Sequence, residues 1–180
     1  LAPIIEALRD EYAIQITHQG FGKAYPSTYL VEPYCLKMFK QRWYMLAYSP
    51  GTDDMRVYGL DRIHALEPTR QRYKLPKVFD AEFYFRNHYG VSDMDMQPEE
   101  VEIKIEAYQA NFLRTLPLHS SQVEVDRQEQ FSIFRYYIAP SFDFRQELYK
   151  HGPVLEVLKP QWLREEFRKN LAYQLSKYQN

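Results

Sequence analysis

The chain has 180 residues, of which 45 % are hydrophobic and 16 % aromatic, and its formal net charge is −1 at pH 7. A hydrophobic fraction of this size excludes a disordered chain, and the near-neutral charge means that any affinity for nucleic acid must come from a local patch. The single cysteine, Cys35, excludes an internal disulfide and a cysteine-based zinc site. No apolar run approaches the ~18 residues of a membrane helix and no signal peptide is visible, so we expect a cytoplasmic protein without a membrane partner.

The first part of the chain is predicted to contain a short helix followed by strands. Residues 1–11 have the pattern of the end of a linker helix, and the alternation that starts at Tyr12 indicates a half-buried strand. Short strands joined by tight turns continue to residue 69, which is typical of a small barrel. Gly59 interrupts the last of these strands and indicates a bulge or a sharp corner. Because the chain begins at Leu1 and not at Met, we expect it to be part of a longer protein.

A connector is predicted to separate this region from a second domain. Residues 70–98 combine one helical pattern with a polar linker that contains Pro98. From residue 99 to residue 180 the periodicities follow the order β-α-β-β-α-β, which is the ferredoxin-like pattern, and a final helix begins at Pro160. The fold class predicted from the residues is therefore α+β, with a small β-barrel followed by a ferredoxin-like domain and a C-terminal helix.

The residue types that carry catalysis are present but are not arranged for it. The five histidines are scattered, and the acidic residues around position 95 lack the glycine and the spacing of a calcium loop. Gly20 and Gly22 form a GxG that opens no helix, so it predicts a hairpin turn and not a dinucleotide site. We therefore predict no enzyme, no cofactor and no metal, and an enzyme acting on small phosphorylated substrates is the least favoured hypothesis.

Basic residues interleaved with aromatic residues are the remaining functional signal. Positions 33–48 contain three basic residues and no acidic one, and two arginines bracket the next stretch. Cationic groups hold phosphate and flat tyrosine rings stack on bases, a combination that suits single-stranded nucleic acid or a nucleotide. The same basic residues could merely solvate strand edges, so both interpretations stay open. The predicted ligand-contacting side chains are Arg56, Arg62, Lys37, Arg42, Tyr34, Tyr44 and Tyr58.

Alternation along the strands predicts which side chains share a face. Arg56 and Tyr58 are expected on one surface, which Arg62 joins if the glycine between them does not reset the alternation. In the stretch QRWYMLAYSP, alternation assigns Trp43 to the barrel core and Tyr44, with Arg42, to the opposite side.

Residues 31–69, VEPYCLKMFKQRWYMLAYSPGTDDMRVYGLDRIHALEPT, resemble the signature of the WYL-domain family of bacterial transcriptional regulators. The Trp-Tyr-Leu triad that names the family is present as Trp43-Tyr44-Met45. A Pro-Tyr strand precedes it and the segment LDRI follows it, in the order and spacing of the family. Residues 101–179 resemble, by order and position, the WCX extension that often follows this domain.

The resemblance implies an Sm-like (SH3-like) barrel at residues 12–69 and a role as the sensor half of a regulator. Such regulators carry an N-terminal winged helix-turn-helix that reads duplex DNA and is missing from this chain. A basic and aromatic barrel surface is proposed to bind their effector, which in some members is single-stranded DNA. Arg56 and Arg62 stand at two arginine positions of the family, whereas Gly59 and Tyr29 stand where arginines are common, which leaves the ligand open.

Two functions follow from these patterns. The favoured one is the effector-sensing and dimerisation region of a transcriptional regulator, in which a nucleic-acid or nucleotide ligand shifts a homodimer between conformations. The alternative is a protein–protein interaction or oligomerisation module without a small ligand. In that case Phe134 and Tyr136 are expected to be exposed hot spots.

Overall fold

The fold is built around two antiparallel sheets, one in each half of the chain. The computed structural model describes residues 1–179, and within them the chain is a mixed α+β protein with five α-helices. It divides into two compact units, Leu1–Tyr84 and a second unit that starts at Phe85. This division falls inside residues 70–98, the range that the sequence assigns to the connector, and the predicted domain limits stay predictions.

The first unit carries a five-stranded sheet preceded by one helix. Its elements are α1 Ala2–Asp10, β1 Tyr12–His18, β2 Ser27–Phe39, β3 Arg42–Ser49, β4 Asp54–Gly59 and β5 Ile63–Arg72. The strands lie in the order β4-β3-β2-β1-β5, and each pairs with its neighbour in antiparallel fashion. The short helix α2, Ala81–Phe85, follows, and it is much shorter than the helical pattern of the connector indicated.

Local sequence explains how this sheet is assembled. Lys40 and Gln41 have φ values of 45° and 63°, which is the geometry of a two-residue hairpin turn between β2 and β3. The long strand β2 pairs with β1 over its first part and with β3 over its second part, with a register shift between Pro33 and Cys35. A proline at such an irregularity removes no ladder hydrogen bond. The strand order is thereby established, while the Sm-like barrel stays a prediction.

The core of the first unit lies between the sheet and α1. Ile4 and Ala7 of the helix pack with the buried side chains Ile14, Ile16 and Met45. Burying a side chain of this size contributes roughly 1.5–3 kcal/mol relative to leaving it exposed, so α1 is an integral part of this unit.

Trp43 corrects one prediction about this core. Alternation places it on the same side of β3 as the buried Met45 and Ala47, but its exposed fraction is 42 %. Its partner on β2, Met38, is 62 % exposed. The two side chains lie near the tip of the β2–β3 hairpin, outside the cluster of buried residues, so the core prediction for Trp43 was wrong.

The second unit has the element order β-α-β-β-α-β followed by a long helix, as predicted. Its elements are β6 Glu99–Glu106, α3 Ala107–Thr115, β7 Val123–Arg127, β8 Phe131–Ile138, α4 Phe142–Tyr149, β9 Leu155–Lys159 and α5 Gln161–Ser176. The four strands form an antiparallel sheet in the order β7-β8-β6-β9. This is the strand arrangement that the ferredoxin-like pattern requires.

The core of the second unit overturns the hot-spot prediction for Phe134 and Tyr136. These side chains are 1 % and 0 % exposed, and they pack with Ile103 of β6 and with Phe144 of α4. The side chains of β8 alternate, and the exposed one is the neighbouring Tyr137. No helix among the described residues is both long and apolar enough to cross a membrane.

Candidate functional site

A 3-10 turn after β4 positions Arg62. β4 ends at Gly59, the turn covers Leu60–Arg62, and β5 begins directly afterwards. A Cβ atom on Gly59 would lie 2.4 Å from Nη2 and 2.7 Å from Nε of Arg62. The missing side chain of Gly59 therefore makes room for the guanidinium group. Gly59 pairs with Tyr44, and paired residues share a face of the sheet, so Arg62 reaches the face of β3 that carries Tyr44.

Asp61 connects Arg62 to a second guanidinium group. Its Oδ2 lies 3.3 Å from Nη1 of Arg42, and its Oδ1 lies 3.6 Å from Nε of Arg62. We name Arg42, Asp61 and Arg62 the Arg42–Arg62 cluster. Two arginines share one carboxylate here, so the cluster keeps one net positive charge.

The two arginines differ in their exposure to solvent. The side chain of Arg42 is 54 % exposed, whereas that of Arg62 is only 22 % exposed. Nε of Arg62 is buried and makes no hydrogen bond within residues 1–179. A buried N–H group without an acceptor costs free energy, and an anion that accepts its hydrogen bond would recover it.

The charges of this cluster affect the pKa of His18. Burial lowers the pKa of the His18 imidazole, and the positive charge of Arg62 lowers it further, against the opposing effect of Asp61. Its ring packs edge-on against Tyr58, with 5.3 Å between the ring centroids. The imidazole is therefore neutral at pH 7 and adds no charge to the cluster.

Lys37 and Tyr44 extend the same face across the sheet. Lys37 of β2 pairs with Tyr44 of β3, which pairs in turn with Gly59 of β4. Alternation places Arg42 and Tyr44 together, on the side away from the buried Met45. Four of the predicted site residues thus share one face: Lys37, Arg42, Tyr44 and Arg62.

Phe21 is a site residue that the sequence did not predict. Cζ of Arg62 lies 4.6 Å from the centroid of the Phe21 ring, which is the geometry of a cation–π contact. Phe21 belongs to the turn between β1 and β2, where no periodic pattern assigns a face to a single side chain. The GxG that surrounds it was correctly interpreted as a hairpin turn, but the contact across the fold has no local signal.

Arg56 does not join the other predicted cations. The interruption at Gly59 resets the alternation, so the condition under which Arg62 joins the surface of Arg56 and Tyr58 is not met. Arg56 pairs with Ala47 on the core-side face of the sheet, and its Nε lies 3.5 Å from Oδ2 of Asp54 near the opposite end of β4.

Tyr58 is a core residue. It is 3 % exposed, and its ring lies between His18 and Tyr29, with centroid distances of 5.3 Å and 5.9 Å. Burial is the main reason why its pKa is raised. No face of the ring is open to a base, so Tyr58 is not available for contact with a ligand.

Tyr34 packs against the chain that follows the sheet. Its ring is parallel to that of Tyr73 at 6.4 Å and meets Phe79 edge-on at 5.0 Å. The hydroxyl of Tyr73 donates a hydrogen bond to the carbonyl oxygen of Pro33, and burial raises the pKa of Tyr73 to about 12. Tyr34 therefore has a packing role that the sequence pattern did not reveal.

The two halves of the chain match two family models. The model of the WYL domain matches residues 1–68, and that of the WCX domain matches residues 97–172. Together these ranges account for most of the chain, which therefore belongs to the family of proteins with a WYL domain followed by a WCX domain. The recognition made from residues 31–69 is confirmed.

Solved structures that are similar to this one include the following two. Proteasome accessory factor B/C (PafBC) of Arthrobacter aurescens is 18 % identical with a TM-score of 0.42, and the match covers 99 % of this chain and 27 % of that chain. A CRISPR Cas-related protein is 14 % identical with a TM-score of 0.58, and the match covers 98 % of this chain and 50 % of that chain. The chain thus spans half or less of these proteins, and the second likeness shows the fold alone. No curated protein sequence matches the chain.

Proposed function

We propose that this chain is the effector-sensing region of a bacterial transcriptional regulator and that it is not an enzyme. In this proposal it binds single-stranded nucleic acid or a nucleotide through the Arg42–Arg62 cluster. Membership of the WYL/WCX family supports the regulatory role. The observation that supports an anionic ligand is the largely buried guanidinium of Arg62, whose Nε has no hydrogen-bond acceptor among the described residues.

A phosphate group satisfies this arrangement in two ways, and two neighbouring side chains add to the site. When the Arg62 side chain turns outward and exposes the buried Nε, a phosphate accepts the hydrogen bond that this atom does not otherwise make, and charge-assisted hydrogen bonds of this kind are the strong ones. It also balances the net positive charge left when two arginines share Asp61. Lys37 supplies a further positive charge on the same face, and Tyr44 supplies an aromatic ring beside it.

Ligand binding would act through a shift between conformations. In the same proposal the first sheet closes as an Sm-like barrel and the cytoplasmic regulator is a homodimer. A helix-turn-helix outside this chain reads duplex DNA. A ligand can change that equilibrium only by the difference between its affinities for the two conformations. In this proposal, the contacts between the ligand and the Arg42–Arg62 cluster differ between the two conformations.

The test is the affinity of the 180-residue chain for a fluorescein-labelled oligothymidylate of about 12 nucleotides, within the range that single-strand binding folds cover. Arg62→Gln should weaken binding by about 10-fold to about 150-fold, because a hydrogen bond to a charged group contributes ~1.5–3 kcal/mol. Arg70→Gln is the matched control, since it removes the same charge from an exposed position on β5. Equal affinities of the two variants, or no binding by the wild-type chain, would reject the proposal.

A second candidate function is oligomerisation without a small ligand, and helix α3 favours it. Tyr108 and Phe112 of this helix and Leu116 directly after its end follow one another at intervals of four residues and are 73 %, 54 % and 77 % exposed. An apolar stripe of this kind is typical of a contact surface, here for a second copy of the chain. If this function is the correct one, Phe112→Asp should convert a dimer to a monomer in light scattering, while the wild-type chain ignores every oligonucleotide.

A further inference from the structure

Phe21 is an aromatic side chain held at the surface by the fold. It is 79 % exposed, and its contact with Arg62 distinguishes it from the other exposed apolar side chains of the chain. Lys23 N donates a hydrogen bond of 2.9 Å to the carbonyl oxygen of Gly20, so Phe21 and Gly22 are the central residues of a β-turn. The turn therefore presents the ring outward from a defined backbone position.

Gln19 fixes this turn from within and ties it to the Arg42–Arg62 cluster. Its Nε2 donates to the carbonyl oxygens of Lys23 at 3.0 Å and of Ala24 at 3.3 Å. Its backbone N–H donates to the carbonyl oxygen of Arg62 at 3.1 Å. The turn that carries Phe21 is thus hydrogen-bonded to the same residue whose guanidinium contacts the ring.

One face of the Phe21 ring is occupied and the other is open. The guanidinium carbon of Arg62 lies 4.6 Å from the ring centroid, and this contact orients the ring. Because the residue is 79 % exposed, the solvent-accessible area belongs to the opposite face and the rim. An aromatic ring that is already ordered loses less conformational freedom when a second planar group stacks on it.

We propose that Phe21 is the base-stacking platform of the ligand site. This inference rests on the proposed function, because it takes the phosphate of the ligand to lie at the Arg42–Arg62 cluster. A nucleobase then stacks on the open face of Phe21 while Arg62 contacts both the ring and the phosphate. This platform narrows the ligand class to anions that carry a planar base, such as a nucleotide or a single-stranded nucleic acid. Phosphate alone is excluded, because it has no base to stack.

The structure also explains why Phe21 and not Tyr25 has this role. Tyr25 lies on the same loop and is 82 % exposed, so exposure alone does not distinguish the two rings. The contact with Arg62 does, since it ties the orientation of Phe21 to the residue that holds the phosphate. Tyr25→Leu is therefore the matched control for Phe21→Leu, a substitution that keeps an apolar side chain and removes the flat ring.

The experiment compares two single-stranded probes of equal length, one oligothymidylate and one oligomer with an abasic sugar at every position. Phe21→Leu should weaken binding of the oligothymidylate by about 5-fold to about 150-fold, the range that stacking of one base covers. It should leave binding of the abasic oligomer unchanged. Tyr25→Leu should change neither affinity.

Each other outcome has a distinct meaning. If the wild-type chain binds neither probe, the proposed function fails and the platform fails with it. If the wild-type chain binds but Phe21→Leu leaves the oligothymidylate affinity unchanged, the platform alone is overturned. If Phe21→Leu strengthens binding of both probes, the ring covers Arg62 instead of supporting a base, and the inference is overturned as well.

Discussion

Substituting Gly59 by alanine should separate ligand binding from folding stability. The added methyl group would lie 2.4 Å from Nη2 of Arg62 and 2.8 Å from Oδ1 of Asp61. Non-bonded heavy atoms prefer separations of about 3.5–4.0 Å, so the guanidinium must move by at least about 1 Å. The backbone of Gly59, with φ −71° and ψ 126°, accepts alanine without strain.

The expected change in stability is small because opposing contributions nearly cancel. Displacing Arg62 weakens its contact with Phe21, a cation–π interaction of about 0.5–1 kcal/mol at exposed sites. It also loosens the ion pair with Asp61, which contributes about 0–1 kcal/mol. Replacing glycine by alanine in a compatible conformation stabilises the folded protein by about 0.4–1 kcal/mol, because alanine lowers the conformational entropy of the unfolded chain. At the middle of these ranges the free energy of unfolding should fall by about 0.5 kcal/mol, and at their extremes by no more than about 1.6 kcal/mol.

Binding should respond far more strongly than stability. Arg62 loses the position in which its Nε meets the ligand, so the affinity for oligothymidylate should fall by about 10-fold or more. Fluorescence anisotropy measures the affinity, and urea denaturation measures the free energy of unfolding. Gly51→Ala is the matched control, because a Cβ atom there has no neighbour within 4 Å. If Gly59→Ala binds as tightly as Gly51→Ala, the position of Arg62 does not matter and the reasoning is refuted.

Three further substitutions test separate parts of the structure. Arg42→Ala should weaken oligothymidylate binding by only a few-fold in anisotropy titrations, since an ion pair between a half-exposed guanidinium and a phosphate contributes about 0–1 kcal/mol. A loss as large as that of Arg62→Gln would contradict the account. Gly90→Ala should lower the free energy of unfolding by about 2–4 kcal/mol in urea titrations. The added methyl group would lie 2.3 Å from Oδ2 of Asp143 and would displace this carboxylate, which accepts two backbone hydrogen bonds. An unchanged midpoint of unfolding would show that the carboxylate relocates freely. Hydrogen bonds from Arg114 lower the pKa of Glu124 from 4.5 to about 2. This pair therefore contributes stability above pH 4.5 that is lost as the pH falls towards 2. Glu124→Gln should flatten the acid side of the profile of stability against pH, measured by circular dichroism.

Much of the fold is predictable because its strands alternate and its turns have distinctive chemistry. The order β-α-β-β-α-β of the second unit is predictable because apolar residues alternate along its strands and recur at helical spacing along its helices. Alternation identifies which residues share a face, but it does not reveal what covers that face. For this reason Trp43 was assigned to a core that does not extend to it, and Phe134 was expected at a surface that helices cover.

The candidate site was predictable in part. Arg42 and Arg62 were named from their charge, but their connection through Asp61 depends on a 3-10 turn that strand periodicity cannot anticipate. The same turn separates Arg56 from them. Phe21 was missed because it meets Arg62 only through the fold, and a single aromatic residue in a turn has no pattern of its own.

The most direct test of the central claim is the salt dependence of oligothymidylate binding by the wild-type chain and by Arg62→Gln. The account predicts that binding weakens between about 50 mM and about 200 mM salt, because phosphate contacts release counterions. It also predicts that the slope of log affinity against log salt is smaller for Arg62→Gln by about 0.7, the value for one phosphate contact on a single strand. Binding that ignores salt, or the same slope for both proteins, would contradict a phosphate site at Arg62.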